Sequence, residues 1–307
     1  MNINIEIPEQ FYLEEDRDGY RVSSEMKRIW AVELDLLSAF DEVCRKNEIT
    51  YYASGGTILG AVRHKGYIPW DDDIDLMMHR EDYDKLCAIG PEAFRYPYFF
   101  QTQETDRFYF RGHAQLRNSE TTGILKVEKD SNLKYNQGIF IDIFPLDNVP
   151  DEPEERESFI HKAHRLQKSA DRLSYYSFRY HRSSFSIKEF VKFGLHLVLE
   201  PWFNHQEENR IFDKYFDHIK SLAGKDTRES GMLYLKEERF IFRNSDMEYP
   251  VYKEFEMLKI PLPNGYENIL EKQYGDWRTP VKEPSVHGGV AFDVDLPYHE
   301  YLKNETK

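Results

Sequence analysis

A dense acidic run in the first quarter of the chain constrains this sequence most strongly. Residues 67–76 read Y-I-P-W-D-D-D-I-D-L, which places four aspartates within five positions directly after a Pro-Trp pair. Apolar residues alternate with other residues from Ile74 onward, the period of a strand, so the run is predicted to begin a strand that turns Asp71, Asp73 and Asp75 to one face. Converging carboxylates repel one another unless a cation lies among them. The run therefore predicts a metal site.

The expected metal is Mg²⁺ or Mn²⁺, because hard carboxylate oxygens favour these ions over zinc. The alternative is a solvated acidic turn, which is what most charge runs are. Trp70 before the acids and the hydrophobic alternation after them favour the metal site. A calcium loop of the helix-loop-helix kind is excluded, because Leu76 stands where that loop needs glycine and Asp82 stands where it needs a bidentate glutamate.

A glycine pair precedes the acidic run, between a predicted strand at 49–53 and a predicted helix. The turn contains Gly55, Gly56 and Thr57. Glycine lets backbone amides approach a phosphate closely, and a helix N-terminus favours an anion. The pair matches neither the dinucleotide fingerprint nor the phosphate loop that ends in G-K-[ST]. It indicates a phosphate site only in combination with the acidic strand.

A lone aspartate lies in a later apolar segment, G-I-F-I-D-I-F at 138–144. Asp142 is flanked there by Ile141 and Ile143, and the segment is predicted to be a buried strand. A buried carboxylate costs free energy unless it is paired or bound to a metal. Asp142 is therefore predicted as a further ligand of the metal site. The alternative is a buried aspartate that is hydrogen-bonded to backbone or arginine.

The remaining pattern predicts an α+β fold with a mixed sheet. Helices are predicted at 24–46, 80–88 and 265–274, and further strands at 97–103, 108–117 and 255–262. The predicted division of the chain is a catalytic core with its N-terminal helix at 1–150, a helical insertion at 151–225 and a mixed C-terminal segment that completes the core at 226–307.

The predicted insertion differs from the rest of the chain in charge. Residues 161–192 hold eight Lys or Arg and two acidic residues, in a chain whose net charge is −14. Aromatic residues such as Tyr176 and Phe190 are interleaved with these charges. One interpretation is a docking surface for an anionic acceptor or for lipid headgroups. The other is an ordinary solvated helical hairpin, and both remain open here.

Composition limits the partners and the compartment. The net charge of −14 argues against a general nucleic-acid binder, which neutralises phosphates with Lys and Arg. Cys44 and Cys87 are too few and too far apart for a zinc ribbon or a disulfide framework, so both are predicted to be free thiols in helices. The start of the sequence lacks the pattern of a secretory signal, and no apolar stretch approaches the ~20 residues of a spanning helix. The expected location is cytoplasmic, with peripheral contact to the inner membrane face.

The order strand, Gly-Gly, helix, D-x-D strand and later lone aspartate resembles the nucleotidyltransferase superfamily of the polymerase-beta type. Residues 52–76, Y-A-S-G-G-T-I-L-G-A-V-R-H-K-G-Y-I-P-W-D-D-D-I-D-L, resemble the signature of the LicD family. That family includes bacterial phosphocholine transferases and is related to fukutin-type ribitol-phosphate transferases. Residues 114–121, 138–147 and 269–277 also resemble family segments. The resemblance implies a nucleotidyltransferase-like core with a helical insertion.

The implied activity is transfer of a substituted phosphate from a CDP-linked donor, most often phosphocholine from CDP-choline, with release of CMP. The implied acceptor is a hydroxyl of a cell-surface glycan, such as a teichoic acid or lipopolysaccharide, or of a lipid-linked glycan precursor. The resemblance implies Asp73, Asp75 and Asp142 as catalytic metal ligands, with Asp71 as a candidate for a further ligand.

The same resemblance suggests which residues hold the donor. The candidates for holding its phosphates are four cations: Arg63, His64, Lys65 and Arg117. The candidate for the choline ammonium is the aromatic face of Trp70. Arg63 and Lys65 have an alternative role as helix-end cations that match the dipole, and His64 has an alternative structural role.

Two other functions remain compatible with these residues. A nucleotidyltransferase that makes a CDP-activated compound from CTP would carry the same metal site and release pyrophosphate. An inactive glycan- or cation-binding module on the same fold would bind metal without turnover. The products of the reaction separate the three.

Overall fold

The computed structural model describes residues 3–181, 186–205, 208–281 and 289–305. Within them the α-helices are α1 (Ser24–Lys46), α2 (Gly55–His64), α3 (Arg80–Ala93), α4 (Pro153–Asp171), α5 (Ile187–His205), α6 (Asp213–Ile219), α7 (Tyr266–Tyr274) and α8 (Tyr298–Glu305). The strands are β1 (Glu15–Arg17), β2 (Tyr20–Val22), β3 (Tyr52–Ala53), β4 (Asp75–His79), β5 (Tyr98–Gln101), β6 (Ala114–Asn118), β7 (Thr122–Leu125), β8 (Ile139–Asn148), β9 (Glu229–Gly231), β10 (Ile241–Arg243), β11 (Pro250–Phe255), β12 (Leu258–Pro263) and β13 (Val290–Asp293).

A seven-stranded mixed sheet is built around β8. On one side β8 pairs in parallel with β4, which pairs antiparallel with β3. β6 pairs antiparallel with the first half of β8, and β9 pairs with its last two residues. The register sets Asp75 opposite Asp142 and Gln115 opposite Asp142, so these three side chains share one face of the sheet. The mixed sheet with its helices agrees with the predicted α+β class.

The long helix α1 packs against β8 and β6. It begins as its sequence predicts, because the Ser23 hydroxyl accepts a hydrogen bond from the Met26 N–H at 3.1 Å. Trp30, Leu34 and Phe40 on this helix are fully buried. Its interior position also buries Glu33, whose carboxylate interacts electrostatically with the aspartates of the acidic run.

One hydrophobic core joins residues from Val22 near the start to Val294 near the end of the chain. A smaller cluster holds α4 and α6 against β9 and β10, with Val149 and Phe159 at its centre. The predicted helices over 151–225 are therefore anchored by apolar contacts of their own. The domain boundaries at 150 and 225 stay predictions.

Helix α5 has its polarity reversed relative to an ordinary surface helix. Its inward side includes Glu189, Lys192 and the buried His196, whose ring lies 5.1 Å from that of Tyr175. Its outward side carries large apolar residues that are between 37% and 85% exposed: Ile187, Phe190, Val191, Phe193, Leu195, Leu197 and Val198. Among the described residues, no helix has the length and apolar character needed to span a membrane.

Several predicted elements are confirmed, and others differ. Helix α1 matches its predicted range, α7 begins one residue later than predicted, and Cys44 and Cys87 are free thiols on α1 and α3. Of the strand predicted at 108–117, only residues 114–117 lie in a strand, which is β6. The single strand predicted at 255–262 is wrong, because Glu256 adopts a positive φ of 51° and the chain turns there into the hairpin of β11 and β12. The predicted acidic strand begins only at Asp75, so the preceding aspartates lie in a loop.

Candidate functional site

The glycine pair brings the start of α2 against the acidic loop. Gly55 has a φ of +50°, and a Cβ added there would lie 3.3 Å from Asp75 Oδ2. A Cβ on Gly56 would lie 2.6 Å from Asp71 Oδ2, which is closer than atoms can approach. Thr57 Oγ1 accepts the Asp75 N–H at 2.8 Å. Glycine is therefore required at both positions for the helix and the carboxylates to approach.

Three consecutive aspartates of the loop converge on one point. Asp71, Asp72 and Asp73 each offer a carboxylate oxygen, and these oxygens lie within 4.8 Å of one another. The loop is held by the Trp30 indole N–H, which donates to the Asp71 carbonyl at 3.0 Å, and by a turn from Asp71 N–H to the Ile68 carbonyl at 3.0 Å. The structure thus brings Asp71 and Asp73 together as predicted, but by means of a loop and with Asp72 rather than Asp75 as the third member of the group.

Asp142 faces Asp75 across the parallel pair β4–β8 and has partners of its own. Gln115 Nε2 donates to Asp142 Oδ1 at 2.5 Å, and His113 Nε2 lies 3.0 Å from the same oxygen. His113 Nδ1 lies 2.9 Å from the Arg111 carbonyl. His113 thus bridges the Arg111 carbonyl and the Asp142 carboxylate and fixes the orientation of that carboxylate.

Burial and mutual repulsion act on the other carboxylates. Burial raises the pKa of Asp71, and the charges of Asp73 and Asp72 add to the effect. Burial, Asp73 and Asp142 likewise raise the pKa of Asp75 well above its ordinary value. Burial also raises the pKa of Asp142, but the His113 charge and the bonds from His113 and Gln115 outweigh it and lower the net value.

Glu33 adds a carboxylate that the sequence analysis did not assign to the site. Burial raises its pKa well above the ordinary value, with Asp73 the next contribution, while a hydrogen bond from Tyr67 acts in the opposite direction. Its Oε2 is buried without a hydrogen-bond partner, and a buried carboxylate oxygen without a partner favours a proton or a cation. An all-oxygen donor set with excess negative charge fits Mg²⁺ or Mn²⁺ and lacks the sulfur and nitrogen ligands of a structural zinc site.

The carboxylates line one wall of a cleft with a volume of about 390 Å³. The end of α7 and the loop after it also line the cleft, with Gln273, Tyr274 and Trp277. The Tyr274 hydroxyl lies near the carboxylate end, 3.6 Å from the position of a Cβ on Gly55. The cleft is large enough for part of a nucleotide.

Arg63 and Trp70 line the same cleft, as a donor-binding role requires. Arg63 Nη1 donates to the Trp277 carbonyl at 3.4 Å, and its Nη2 is buried without a partner. The Trp70 ring makes an edge contact with Tyr20 at 5.8 Å between centroids. Arg63 therefore offers an unsatisfied donor beside the acids.

The other candidate cations lie elsewhere. His64 Nδ1 pairs with Asp18 at 2.7 Å, and the Lys65 side chain is 75% exposed and pairs with Glu254 at 3.0 Å. Arg117 is fully buried on the same strand face as Gln115, where its Nη1 donates to the Gly138 carbonyl at 2.6 Å and its Nε and Nη2 donate to Gln101 and Gln115. Arg117 thus holds Gln115, which in turn bonds Asp142.

A second cavity of about 330 Å³ adjoins His113. Its wall includes Tyr234, whose ring lies 5.8 Å from that of His113. The remaining lining is aromatic, hydroxylic and charged, and comes largely from the predicted insertion and the segment before β6: Phe110, Arg111, Tyr135, Asp171, Ser174, Tyr176, Ser177 and Arg179. Arg111 is neutralised by Glu128 at 2.5 Å. The Tyr234 ring relates this cavity to His113, which in turn contacts Asp142.

Comparison with known proteins supports the resemblance. Residues 48–181 match the family model described as "LicD/FKTN/FKRP, nucleotidyltransferase domain". The lipopolysaccharide cholinephosphotransferase LicD of Haemophilus influenzae is 29% identical over 256 residues, which cover 80% of this chain and 88% of that protein. An uncharacterized protein of Rickettsia prowazekii is 46% identical over 57 residues, 19% of this chain and 21% of its own.

A more distant likeness is confined to a short block. The human ribitol 5-phosphate transferase FKRP is 44% identical over 46 residues, which are 15% of this chain and 9% of FKRP. The family model over residues 48–181 and the long match to LicD together support the expected transferase enzyme, one similar to the LicD family.

Proposed function

We propose that this protein transfers phosphocholine from CDP-choline to a hydroxyl of a cell-surface glycan or its lipid-linked precursor, and releases CMP. The observation that carries the proposal is the convergence of Asp71, Asp72 and Asp73 with Asp75 in one cleft, with Asp142 opposite Asp75 on the neighbouring strand. The name of the Haemophilus influenzae relative, a lipopolysaccharide cholinephosphotransferase, supports the headgroup and the acceptor class. The nucleotidyltransferase-like character of the core is part of the proposal.

The acidic residues, Arg63 and His113 have different roles in this proposal. The carboxylates of Asp71, Asp73, Asp75 and Asp142 would hold Mg²⁺ or Mn²⁺, which supplies positive charge to neutralise the transferring phosphate and its leaving oxygen. Arg63 would hold a donor phosphate through its unpartnered Nη2. His113 keeps Asp142 ionised and fixed through the 3.0 Å contact. An ionised Asp142 is able to ligate or to accept a proton.

The reaction breaks the bond between the phosphocholine phosphorus and the CMP oxygen and forms a bond from that phosphorus to the acceptor oxygen. The proton of the acceptor hydroxyl passes to a base, for which Asp142 is the candidate. We place the acceptor in the second cavity, because aromatic faces with hydroxyls and a neutralised Arg111 suit a sugar.

Helix α5 supports peripheral contact with a membrane, where a lipid-linked acceptor would be found. Its outward apolar residues, such as Phe190 and Val198, are 76% and 75% exposed. Lys188 is also exposed and supplies positive charge for anionic headgroups. The outward face is thus apolar where an ordinary surface helix is polar.

The test is product analysis with purified protein, CDP-choline and Mg²⁺ or Mn²⁺, with lipooligosaccharide in detergent as the acceptor. We expect metal-dependent CMP and a phosphocholine-modified glycan, and parallel reactions with CDP-ethanolamine, CDP-glycerol and CDP-ribitol define the headgroup. Pyrophosphate from CTP would instead identify the nucleotide-activating enzyme. Metal binding without any product would identify an inactive module.

A further inference from the structure

Gln273 is a buried polar side chain in the wall of the acidic cleft. The residue is 7% exposed, and neither its Oε1 nor its Nε2 has a hydrogen-bond partner among the described residues. A buried amide with both ends unpaired destabilises the folded protein, so it is expected to meet a partner in the working state. An amide offers an acceptor and donors side by side.

Its position in the cleft limits what that partner is. Gln273 lines the same cleft as the carboxylates and is adjacent in sequence to Tyr274, whose hydroxyl lies near Asp75 and Gly55. Phosphates held at the acidic end would leave the rest of a nucleotide to extend along this wall. Apolar side chains flank it and can cover a flat ring: Leu59, Ile68, Trp277 and Val281.

We propose that Gln273 binds the pyrimidine base of the nucleotide donor and is a specificity-determining residue of this enzyme; the proposal rests on the proposed function for the identity of that donor. The Watson–Crick edge of cytosine carries an exocyclic amine beside the N3 acceptor. The Gln273 Oε1 accepts from that amine and the Nε2 donates to N3, so both unpaired ends are satisfied together.

The experiment measures the binding of CMP and of ribose 5-phosphate to the full chain by calorimetry with Mg²⁺ present. We expect Gln273→Leu to weaken CMP binding about tenfold or more and to leave ribose 5-phosphate binding unchanged. Glu271→Gln, an exposed position on the same helix, is the matched control and binds both as the wild type does. Wild-type CMP affinity in Gln273→Leu, or an equal loss for both ligands, overturns the proposal.

A thermal scan without nucleotide separates this role from a structural one. Removing an unpaired buried amide leaves the melting temperature equal or raises it, whereas loss of a structural hydrogen bond lowers it. Gln273→Met repeats both measurements if the leucine variant does not fold. CMP binding requires no turnover. If the wild type binds CMP but releases none from CDP-choline, only the proposed function is contradicted. If the enzyme is active and its Gln273→Leu variant binds CMP normally, only the assignment of Gln273 to the base is contradicted.

Discussion

The acidic cleft and the outward face of α5 depart from ordinary burial in opposite directions. Beside the aspartates of the cleft, Glu33 and Asp142 are buried although charged groups belong in water. On α5, Phe190 and Val198 are exposed although apolar groups belong in the interior. The cleft is built on strands that one core holds in place. The outward apolar side chains of α5 are exposed to solvent.

The difference shows that the two regions differ in how selective they are for a binding partner. A buried carboxylate cluster is specific, because a cation must fit a fixed set of oxygens and charges. An exposed apolar face is permissive, because hydrophobic burial has no direction and grows with area. The cleft should therefore decide the chemistry, and α5 should decide only where the enzyme works. The following variants test that division.

The largest effect is expected from Asp75→Asn. The substitution keeps the size of the side chain but removes one charge from the cleft, and we expect CMP release to fall on the order of 10³-fold. The measurement is CMP release from CDP-choline with saturating Mg²⁺, and Glu81→Gln, an exposed acid at the start of α3, is the control. A rate near that of the wild type would remove Asp75 from the site.

The next effect separates location from chemistry. In the double variant Phe190→Asp with Val198→Asp, two exposed apolar contacts with lipid become charges, and we expect binding to anionic liposomes to weaken on the order of 10²-fold. CMP release into water should not change. The control is Val127→Asp, which is 50% exposed outside α5. Unaltered liposome binding would leave α5 without a membrane role.

A smaller effect compares two neighbouring cations. Arg63 lines the cleft, and we expect Arg63→Ala to raise the KM for CDP-choline about tenfold through loss of a charged hydrogen bond. Lys65 lies outside the cleft beside Glu254, so Lys65→Ala should change that KM by less than about twofold. Equal effects of the two variants would contradict the placement of the donor.

The smallest effect is a pH-dependent shift in stability. The pKa values of Asp71 and Asp75 are raised in the folded metal-free protein, so the folded state retains protons that the unfolded state loses above roughly pH 4. Stability without metal therefore falls as the pH rises from there towards the raised pKa values. Asp142 has the opposite sign, since its lowered pKa contributes stability that is lost only in acid.

Metal should oppose that loss, because its ligands must be deprotonated. We expect the difference in melting temperature between Mg²⁺ and EDTA to widen by several degrees between pH 5.5 and pH 8. Differential scanning fluorimetry measures it, and Asp75→Asn should reduce the widening. A difference that is constant with pH would show that the carboxylates are already ionised without metal.

The sequence predicted the parts of the molecule that local pattern encodes. The helical period located α1 and α7, and the acidic run with the glycine pair located the cleft. It did not locate the loop character of Asp71, because alternation alone does not tell a strand from the segment that leads into one. The strand predicted at 255–262 failed for the same reason, since a turn at Glu256 leaves no glycine or proline signal.

Glu33 and Gln273 escaped prediction, although a signal for both was present. Glu33 follows Ile29 by four positions on α1, and Gln273 follows Ile269 by four on α7, so each lies on the buried stripe of its helix. A polar residue within an apolar stripe points to a buried site. The site that such a buried polar residue contacts depends on how distant segments of the chain pack together. The same holds for the different surroundings of Arg63 and Lys65.

The pairing of β4 with β8 has a consequence for how the site comes into being. Asp75 and Asp142 are opposite one another only because these two strands align in parallel, and they are far apart along the chain. A parallel pair of this kind closes a long loop and is expected to form late in folding. Affinity for a divalent ion would then appear with the last steps of folding, so a metal-sensitive dye added during refolding would time the completion of the sheet.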